Sequence, residues 1–93
     1  MEIRLYATLR PIVGRATVTL DAATGDTVRA MLDELVTRWP ALKPKLFTED
    51  ATLHPRIHVF LNGRDIRYLD GLDMAIPAGA EICIFPPVGG GHA

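Results

Sequence analysis

Residues 80–93 read Ala80-Glu81-Ile82-Cys83-Ile84-Phe85-Pro86-Pro87-Val88-Gly89-Gly90-Gly91-His92-Ala93. Residues 80–85 have the pattern of a buried strand, and the two prolines end it, because proline fixes φ and lacks an amide donor. Glycine has no side chain, so a partner can approach its backbone closely. The stretch therefore predicts a strand that leads into a stiff and then bare tail, suited to insertion into a narrow slot of another protein. The alternative is a frayed chain end, since glycine-rich termini are commonly disordered.

The composition limits the classes of protein that this chain can represent. Its 93 residues correspond to one domain with a single core. A net charge of −1 gives no basic excess, so we expect no nucleic-acid partner. No apolar run approaches the roughly 20 residues that span a bilayer, and no signal-peptide pattern opens the chain, so we expect no membrane partner. The single cysteine, Cys83, excludes an internal disulfide and favours a cytoplasmic location.

The amino-terminal part of the chain predicts a β-hairpin. Residues 2–9 alternate polar and apolar side chains, which is the period-two signal of a half-buried strand. Residues 10–14 contain Pro11 and Gly14 and are expected to form a loop. Residues 16–20 alternate again, so we expect them to return as a second strand beside the first.

One main helix follows the hairpin. Residues 24–26 offer candidate N-caps, and we expect the helix to end near Trp39, because Pro40 disfavours helical geometry at the residue before it. Its apolar side chains recur at helical spacing at Val28, Met31, Leu32 and Leu35. This apolar stripe predicts that the helix packs against a sheet.

The second half of the chain predicts three further strands. Residues 41–55 suggest a turn or short helix and then a surface loop, and residues 56–61 suggest a third strand. Asn62-Gly63 is a strong hairpin-turn signal and would connect that strand to a short one over residues 64–67. Turns at residues 69–73 and 77–79 precede the last strand. The order of these elements predicts an α+β fold, in which one helix covers one face of a mixed sheet.

Alternation along the strands predicts an aromatic surface on the open face of that sheet. If Leu5 and Ile84 point into the core, then Tyr6 and Phe85 point outward, and the same count places Phe60 outside. Together with Cys83, these aromatic side chains would form an apolar patch beside the root of the tail, and exposed apolar patches often mark protein interfaces. The alternative is that one or more of the aromatic side chains is buried or covered by the loop within residues 41–55.

Other arrangements of reactive residue types carry little signal. His54 and His58 flank a proline at the start of a strand, so the spacing of helical metal ligands does not apply to them. Cys83 has no activating base nearby in the sequence. The three glycines precede neither a helix nor a lysine, unlike a phosphate-binding loop. We therefore predict that the chain is not an enzyme, with no metal site and no bound cofactor.

The ending Phe85-Pro86-Pro87-Val88-Gly89-Gly90-Gly91 resembles the Phe-Pro-Pro-Val-x-Gly-Gly ending of the MoaD, ThiS and CysO family of ubiquitin-like sulfur carriers. The resemblance extends through Asn62-Gly63-Arg64-Asp65-Ile66 and the turn at residues 69–72 to the first strand. It implies a ubiquitin-like β-grasp fold with a mixed sheet of four to five strands, in which the first and last strands lie parallel in the middle. Residues 1–87 would form the β-grasp domain, and residues 88–93 would form a flexible tail.

The resemblance also implies the chemistry of the tail. In this family an adenylating enzyme of the ubiquitin-activating type consumes ATP to activate the terminal glycine carboxylate, and a sulfur donor converts it into a thiocarboxylate. Alignment on Phe-Pro-Pro-Val places that reaction at Gly91, with Gly90 as the other member of the diglycine. The expected partner-binding residues are Tyr6, Phe60, Phe85, Pro86, Pro87, Val88 and Gly89.

This sequence departs from the family at its last two residues. His92 and Ala93 follow Gly91, so the family chemistry would first require cleavage between Gly91 and His92. The resemblance implies a JAMM-type zinc protease for that step. The alternative is that His92-Ala93 is a remnant of expression cloning.

Four functions remain open, and the first three differ in the molecule that receives the activated tail. The Phe-Pro-Pro-Val ending favours a molybdopterin-type carrier, whose tail inserts into the large subunit of molybdopterin synthase. The length and residues 64–67 also resemble the cysteine-synthesis carriers, which serve a pyridoxal-phosphate-dependent cysteine synthase. A protein modifier joined to lysines is the third possibility, and a non-covalent binding module with an inert tail is a further one.

Overall fold

Five strands form one mixed sheet in the computed structural model, which describes residues 1–87. The predictions for residues 88–93 lie outside the described residues. The strands are β1 (Glu2–Leu5), β2 (Thr17–Thr19), β3 (His58–Leu61), β4 (Arg64–Asp65) and β5 (Ile82–Phe85). Their order across the sheet is β2-β1-β5-β3-β4, with β1 and β5 parallel and the other neighbours antiparallel. This arrangement confirms the predicted β-grasp fold, including the parallel first and last strands.

The helices are α1 (Arg10–Val13), α2 (Val28–Arg38) and α3 (Lys43–Leu46). Four 3-10 segments complete the regular structure: Ala7–Leu9, Pro40–Leu42, Ile66–Tyr68 and Gly71–Asp73. The short helix that was expected within residues 41–55 is α3.

The core lies between α2 and one face of the sheet. The helix contributes the four side chains predicted from its spacing, and the sheet contributes alternate residues that are at most 4% exposed: Ile3, Leu5, Val18, Val59, Leu61, Ile82 and Ile84. Complete burial of such an aliphatic side chain contributes about 1.5–3 kcal/mol relative to its exposure. The period-two and helical patterns therefore predicted the core correctly.

The first strand is shorter than its alternation suggested. The prediction of a strand over residues 2–9 is wrong beyond Leu5, because Ala7 has a positive φ of 51° and the chain turns into helical segments. The Leu5 carbonyl accepts a hydrogen bond from Arg10 Nε at 2.9 Å instead of continuing a strand ladder. Leu9 is nevertheless 1% exposed, so the apolar pattern reported burial correctly but not backbone geometry.

The loop predicted for residues 10–14 is also wrong, because it contains α1. Pro11 stands in the first turn of this helix, where its missing amide costs no hydrogen bond. Gly14 ends the helix in the left-handed conformation, with φ of 81°, which glycine adopts without steric cost. Proline and glycine thus mark the two ends of a short helix here, not an irregular loop.

The cap of α2 is Thr27, so the prediction of a cap within residues 24–26 is wrong. Thr27 Oγ1 accepts a hydrogen bond from the Ala30 amide at 3.1 Å. Asp26 serves the preceding turn instead, where its carboxylate accepts from the Ala23 amide at 2.8 Å. The predicted end of the helix at Trp39 is confirmed.

The hairpin turn at Asn62-Gly63 is confirmed. Asn62 and Gly63 have φ of 51° and 83°, the two positive values that a type I′ turn requires. The strands beside it are shorter than predicted: β3 begins at His58 and β4 ends at Asp65. The second strand of the hairpin stops there because the Asp65 side chain accepts from the Arg67 amide and caps the 3-10 segment Ile66–Tyr68.

Candidate functional site

Three aromatic rings contact one another across the open face of the sheet, opposite α2. Tyr6 and Phe85 are stacked, with ring centroids 4.2 Å apart and planes inclined by 14°. Phe60 meets Phe85 edge-on at 5.3 Å and 67°. All three side chains are half-buried. We call Tyr6, Phe85 and Phe60 the aromatic ladder.

Strand register brings the ladder together. Leu5 pairs with Ile84 where β1 and β5 run parallel, so the next residues, Tyr6 and Phe85, lie side by side on the open face. On the other side of β5, Phe60 pairs with Cys83, and cross-strand partners present their side chains on the same face. The predicted outward direction of all three aromatic residues is therefore confirmed, and their role in partner binding stays a prediction.

Polar residues extend the ladder at both of its ends. The Arg10 guanidinium lies over the Tyr6 ring, 5.2 Å from its centroid, and the hydrogen bond to the Leu5 carbonyl holds it there. At the other end, the His58 ring meets Phe60 edge-on at 6.4 Å. Arg10 could not be identified from the sequence, because a residue expected in a loop has no predicted direction.

His58 is oriented by a buried carboxylate. Asp65 is 8% exposed, and its carboxylate contacts His58 Nδ1 at 2.8 Å and accepts from the Arg67 amide at 2.9 Å. Burial acts to raise the pKa of Asp65, but the hydrogen bonds from Arg67 and His58 and their nearby charges outweigh it and lower this pKa below its ordinary value. Asp65 is therefore ionised at neutral pH and accepts hydrogen bonds only, so His58 Nδ1 carries the proton between them.

Arg67 holds this corner of the sheet in place. Its guanidinium donates to the carbonyls of His54, at 2.7 Å, and Ile57, the two residues on either side of the turn that leads into β3. Neither Asp65 nor Arg67 was predicted from the sequence to be part of a functional site. Their common position in a short polar segment after Asn62-Gly63 was the one available signal.

The root of the tail begins directly beside the ladder. Pro86 is buried and Pro87 is exposed. A cleft lies next to them, lined by Thr8, Leu9, Pro44, Lys45, His54 and Ile57. Pro86 is thus packed against the domain at the end of the described residues. The other predicted site residues, Val88, Gly89, Gly90, Gly91 and His92, lie outside the described residues.

No reactive centre is formed by Cys83, His54 or His58 in the described part of the chain. Cys83 is half-buried, and its Sγ lies 3.9 Å from the Tyr6 hydroxyl. His54 and His58 do not share a ligand: His54 Nδ1 accepts from the Arg56 amide, and His58 contacts Asp65. Within residues 1–87 no group of three or more His, Cys, Asp or Glu side chains is placed to hold a metal ion.

None of the helices in residues 1–87 combines the length and the apolar character that crossing a bilayer requires. The cytoplasmic location stays a prediction.

The sheet order and the single covering helix define the class of this molecule as a ubiquitin-like β-grasp protein. The chain belongs to the ThiS family, whose model matches residues 3–91. It is 40% identical over 91 residues to small archaeal modifier protein 1 of Haloferax volcanii, covering 98% of this chain and all of the relative. The crystal structure of that relative superposes with a TM-score of 0.81 at 38% identity and covers 94% of this chain and 95% of its own.

Sulfur carriers are also among the relatives. The sulfur carrier protein CysO of Mycobacterium tuberculosis is 31% identical over 72 residues, which cover 75% of this chain and 77% of the relative. The structure of an Amycolatopsis orientalis complex of BexX and CysO matches with a TM-score of 0.80 at 29% identity, over 96% of this chain and 97% of the matched one. The predicted family is confirmed, and its members are small carriers and modifiers rather than catalysts.

Proposed function

We propose that this protein is a ubiquitin-like sulfur carrier that is activated at the carboxyl group of Gly91. The observation that supports this most directly is the aromatic ladder of Tyr6, Phe85 and Phe60, which lies on the open face of the sheet immediately before Pro86. An enzyme that holds the ladder receives the tail at a fixed distance and direction. The ladder is thus the docking surface, and the tail is the substrate.

The reaction at the tail is an acyl activation. The Gly91 carboxylate attacks the α-phosphate of ATP in the partner adenylating enzyme, which releases pyrophosphate and leaves an acyl-adenylate. A sulfide donor then attacks the acyl carbon, AMP departs, and a thiocarboxylate remains. The carrier contributes position rather than catalytic groups. Gly90 and Gly91 lack a Cβ, which lets the tail pass through a narrow channel in the enzyme. ATP is a substrate of the partner, and we propose no bound cofactor for the carrier.

We propose that His92-Ala93 is removed before activation. Hydrolysis of the Gly91–His92 peptide bond consumes one water and exposes the Gly91 carboxylate that the adenylation needs. A JAMM-type zinc protease is the proposed enzyme for this step.

For the recipient of the sulfur, we propose the large subunit of molybdopterin synthase, on the ground of the Phe85-Pro86-Pro87-Val88 ending. The similarity to CysO supports a second recipient, a cysteine synthase. Both recipients use the same thiocarboxylate, so the chemistry at Gly91 does not depend on the choice between them.

A protein modifier is the second candidate function, and the 40% identity to small archaeal modifier protein 1 favours it. Here a lysine amine of a target protein would attack the acyl-adenylate of Gly91, AMP and a proton would leave, and an isopeptide bond would form. The adenylation step is common to both functions, and only the nucleophile differs.

The test is the intact mass of the protein after incubation with the adenylating enzyme of the same organism, ATP and sulfide. Two forms are compared: the full-length chain and a chain that ends at Gly91. We expect the shorter chain to gain the mass of one oxygen-to-sulfur exchange and the full-length chain to stay unchanged until a JAMM-type protease removes two residues.

A matched variant shows whether a loss of thiocarboxylate comes from a change in the tail or from unfolding of the domain. Gly90→Val in the shorter chain is expected to abolish thiocarboxylate formation while its melting temperature stays that of the parent. If the chain that ends at Gly91, without the Gly90→Val substitution, also fails to gain sulfur but becomes linked to lysines of other proteins, the modifier function replaces the carrier function.

A further inference from the structure

Both ends of the aromatic ladder carry groups that bind carboxylates. Arg10 at the Tyr6 end is a permanent cation, and its guanidinium is positioned by the ring below it and by the Leu5 carbonyl. His58 at the Phe60 end is 47% exposed, and it becomes a cation when its second ring nitrogen takes up a proton. An apolar centre therefore lies between two potential positive charges.

The strand-borne carboxylates lie away from this end of the sheet. Glu2 opens β1, Glu81 immediately precedes β5, and Asp21 follows β2, which runs antiparallel to β1. Phe85 lies four residue steps along the extended chain from Glu81, a distance of about 13 Å. Asp65 is the strand carboxylate at the ladder end, and it is buried and engaged by His58 and Arg67.

The contact with Asp65 decides which nitrogen of the His58 ring is available to a partner. Since Nδ1 donates to ionised Asp65, the neutral ring presents an unprotonated Nε2 to solvent, and a partner carboxylate can be bound there once Nε2 is protonated. The charged groups that contact this ring are Asp65 from β4 and Arg67 from the following 3-10 segment, and β5 places the uncharged Phe85 opposite His58.

We propose that the surface that docks on the aromatic ladder is an apolar socket bordered by carboxylates on two opposite sides, one for Arg10 and one for His58. This inference rests on the proposed function, since it describes the docking surface of the adenylating partner. Charge complementarity of this kind sets the register of the complex and accelerates its formation. In this geometry the two cationic ends fix the direction of the tail, because a rotation of the domain would remove both contacts.

The test is calorimetric binding of the full-length chain to the adenylating enzyme of the same organism, without ATP. We expect Arg10→Gln and His58→Asn each to raise Kd about threefold to fivefold at low salt. The difference should shrink at about 0.5 M salt, where charge interactions are screened. Asn is chosen because its amide nitrogen replaces His58 Nδ1 and keeps the hydrogen bond to Asp65, while Nε2 is lost.

Two further variants serve as controls. Arg64→Gln removes an exposed cation whose residue pairs with the inward-facing Leu61, and it should keep the Kd of the parent. Arg10→Lys keeps the charge and should retain most of the affinity.

The outcomes separate the inference from the function on which it rests. Equal Kd values for Arg10→Gln, His58→Asn and Arg64→Gln, or an affinity that does not change with salt, would overturn the inference and leave the sulfur-carrier function standing. If the parent chain does not bind the adenylating enzyme at all, both are overturned.

Discussion

At the scale of single residues, Asp65 combines a negative charge with a buried position. Its carboxylate is 8% exposed, yet it stays charged because the Arg67 amide and the His58 ring supply hydrogen bonds. Neither partner comes from β4, the strand of Asp65: His58 belongs to β3, and Arg67 lies in the 3-10 segment. Asp65 therefore joins the end of the hairpin to the start of the strand that carries Phe60.

We predict that Asp65→Asn lowers the free energy of unfolding at pH 7 by about 1–3 kcal/mol, because a neutral amide accepts more weakly and brings a second donor into a buried site. The lowered pKa of Asp65 means that its contribution is fully present above its ordinary value of 3.8 and is lost as the pH falls through the lower value of the folded state. Urea unfolding between pH 2 and pH 7, in steps of about one unit, measures both effects.

The control for this prediction is Asp50→Asn, on an exposed turn. It should leave the unfolding free energy near that of the parent across the pH series. If Asp65→Asn shows the same dependence on pH as the parent, Asp65 does not supply the acid-sensitive part of the stability.

At the scale of elements, α2 is joined to the chain before it by side-chain contacts as well as by its apolar stripe. The Glu34 carboxylate accepts hydrogen bonds from the amides of Asp21 and Ala22, at 2.6 and 2.9 Å, and pairs with Arg38 one turn further along. These amides belong to the segment that leaves β2. Glu34 lies outside the apolar stripe of the helix, and only the path of the preceding segment shows that it binds backbone amides.

We predict that Thr27→Ala destabilises the protein by about 1 kcal/mol, since the first turn of α2 loses the acceptor for the Ala30 amide. Thr24→Ala is the matched control, because Thr24 is exposed and lies within the segment that the sequence suggested as the cap. Equilibrium unfolding in urea compares the two variants directly. A larger loss for Thr24→Ala than for Thr27→Ala would contradict the assignment of the cap.

At the scale of the whole molecule, the two faces of the sheet carry different kinds of side chain. The face under α2 buries alternate aliphatic residues and provides stability, whereas the open face carries the aromatic ladder and leads into the tail. Neighbouring residues in one strand therefore have separate effects. Phe60 and Leu61 in β3 are adjacent in the chain, but Phe60 is half-buried on the open face and Leu61 is 4% exposed in the core.

We predict that Leu61→Ala lowers the free energy of unfolding by about 2–5 kcal/mol, as expected for a core truncation. Phe60→Ala should cost about 1 kcal/mol, from the lost contact with Phe85. Binding to the adenylating enzyme should respond in the opposite order, with a strong loss for Phe60→Ala and little change for folded Leu61→Ala. Similar losses of binding for both variants, measured well below their melting temperatures, would argue against docking on the open face.

Alternation and turn chemistry were reliable where a local rule decides the outcome. The type I′ turn at Asn62-Gly63 and the outward direction of Phe60 and Phe85 follow from backbone geometry within a few residues. The same alternation failed beyond Leu5, because Leu9 is equally buried in a strand or in a helical turn. Periodicity reports which side chains are buried, and several backbone paths can satisfy it.

The sequence by itself determined the β-grasp class and the core positions, since these depend on spacing, on proline and glycine, and on a recognisable ending. The tertiary structure decided which distant side chains meet. Arg10 reaches Tyr6 only because the chain turns at Ala7, and His58 reaches Asp65 only through the register of β3 and β4. Contacts of this kind depend on how strands pair and where the backbone turns, and local sequence patterns do not carry that information.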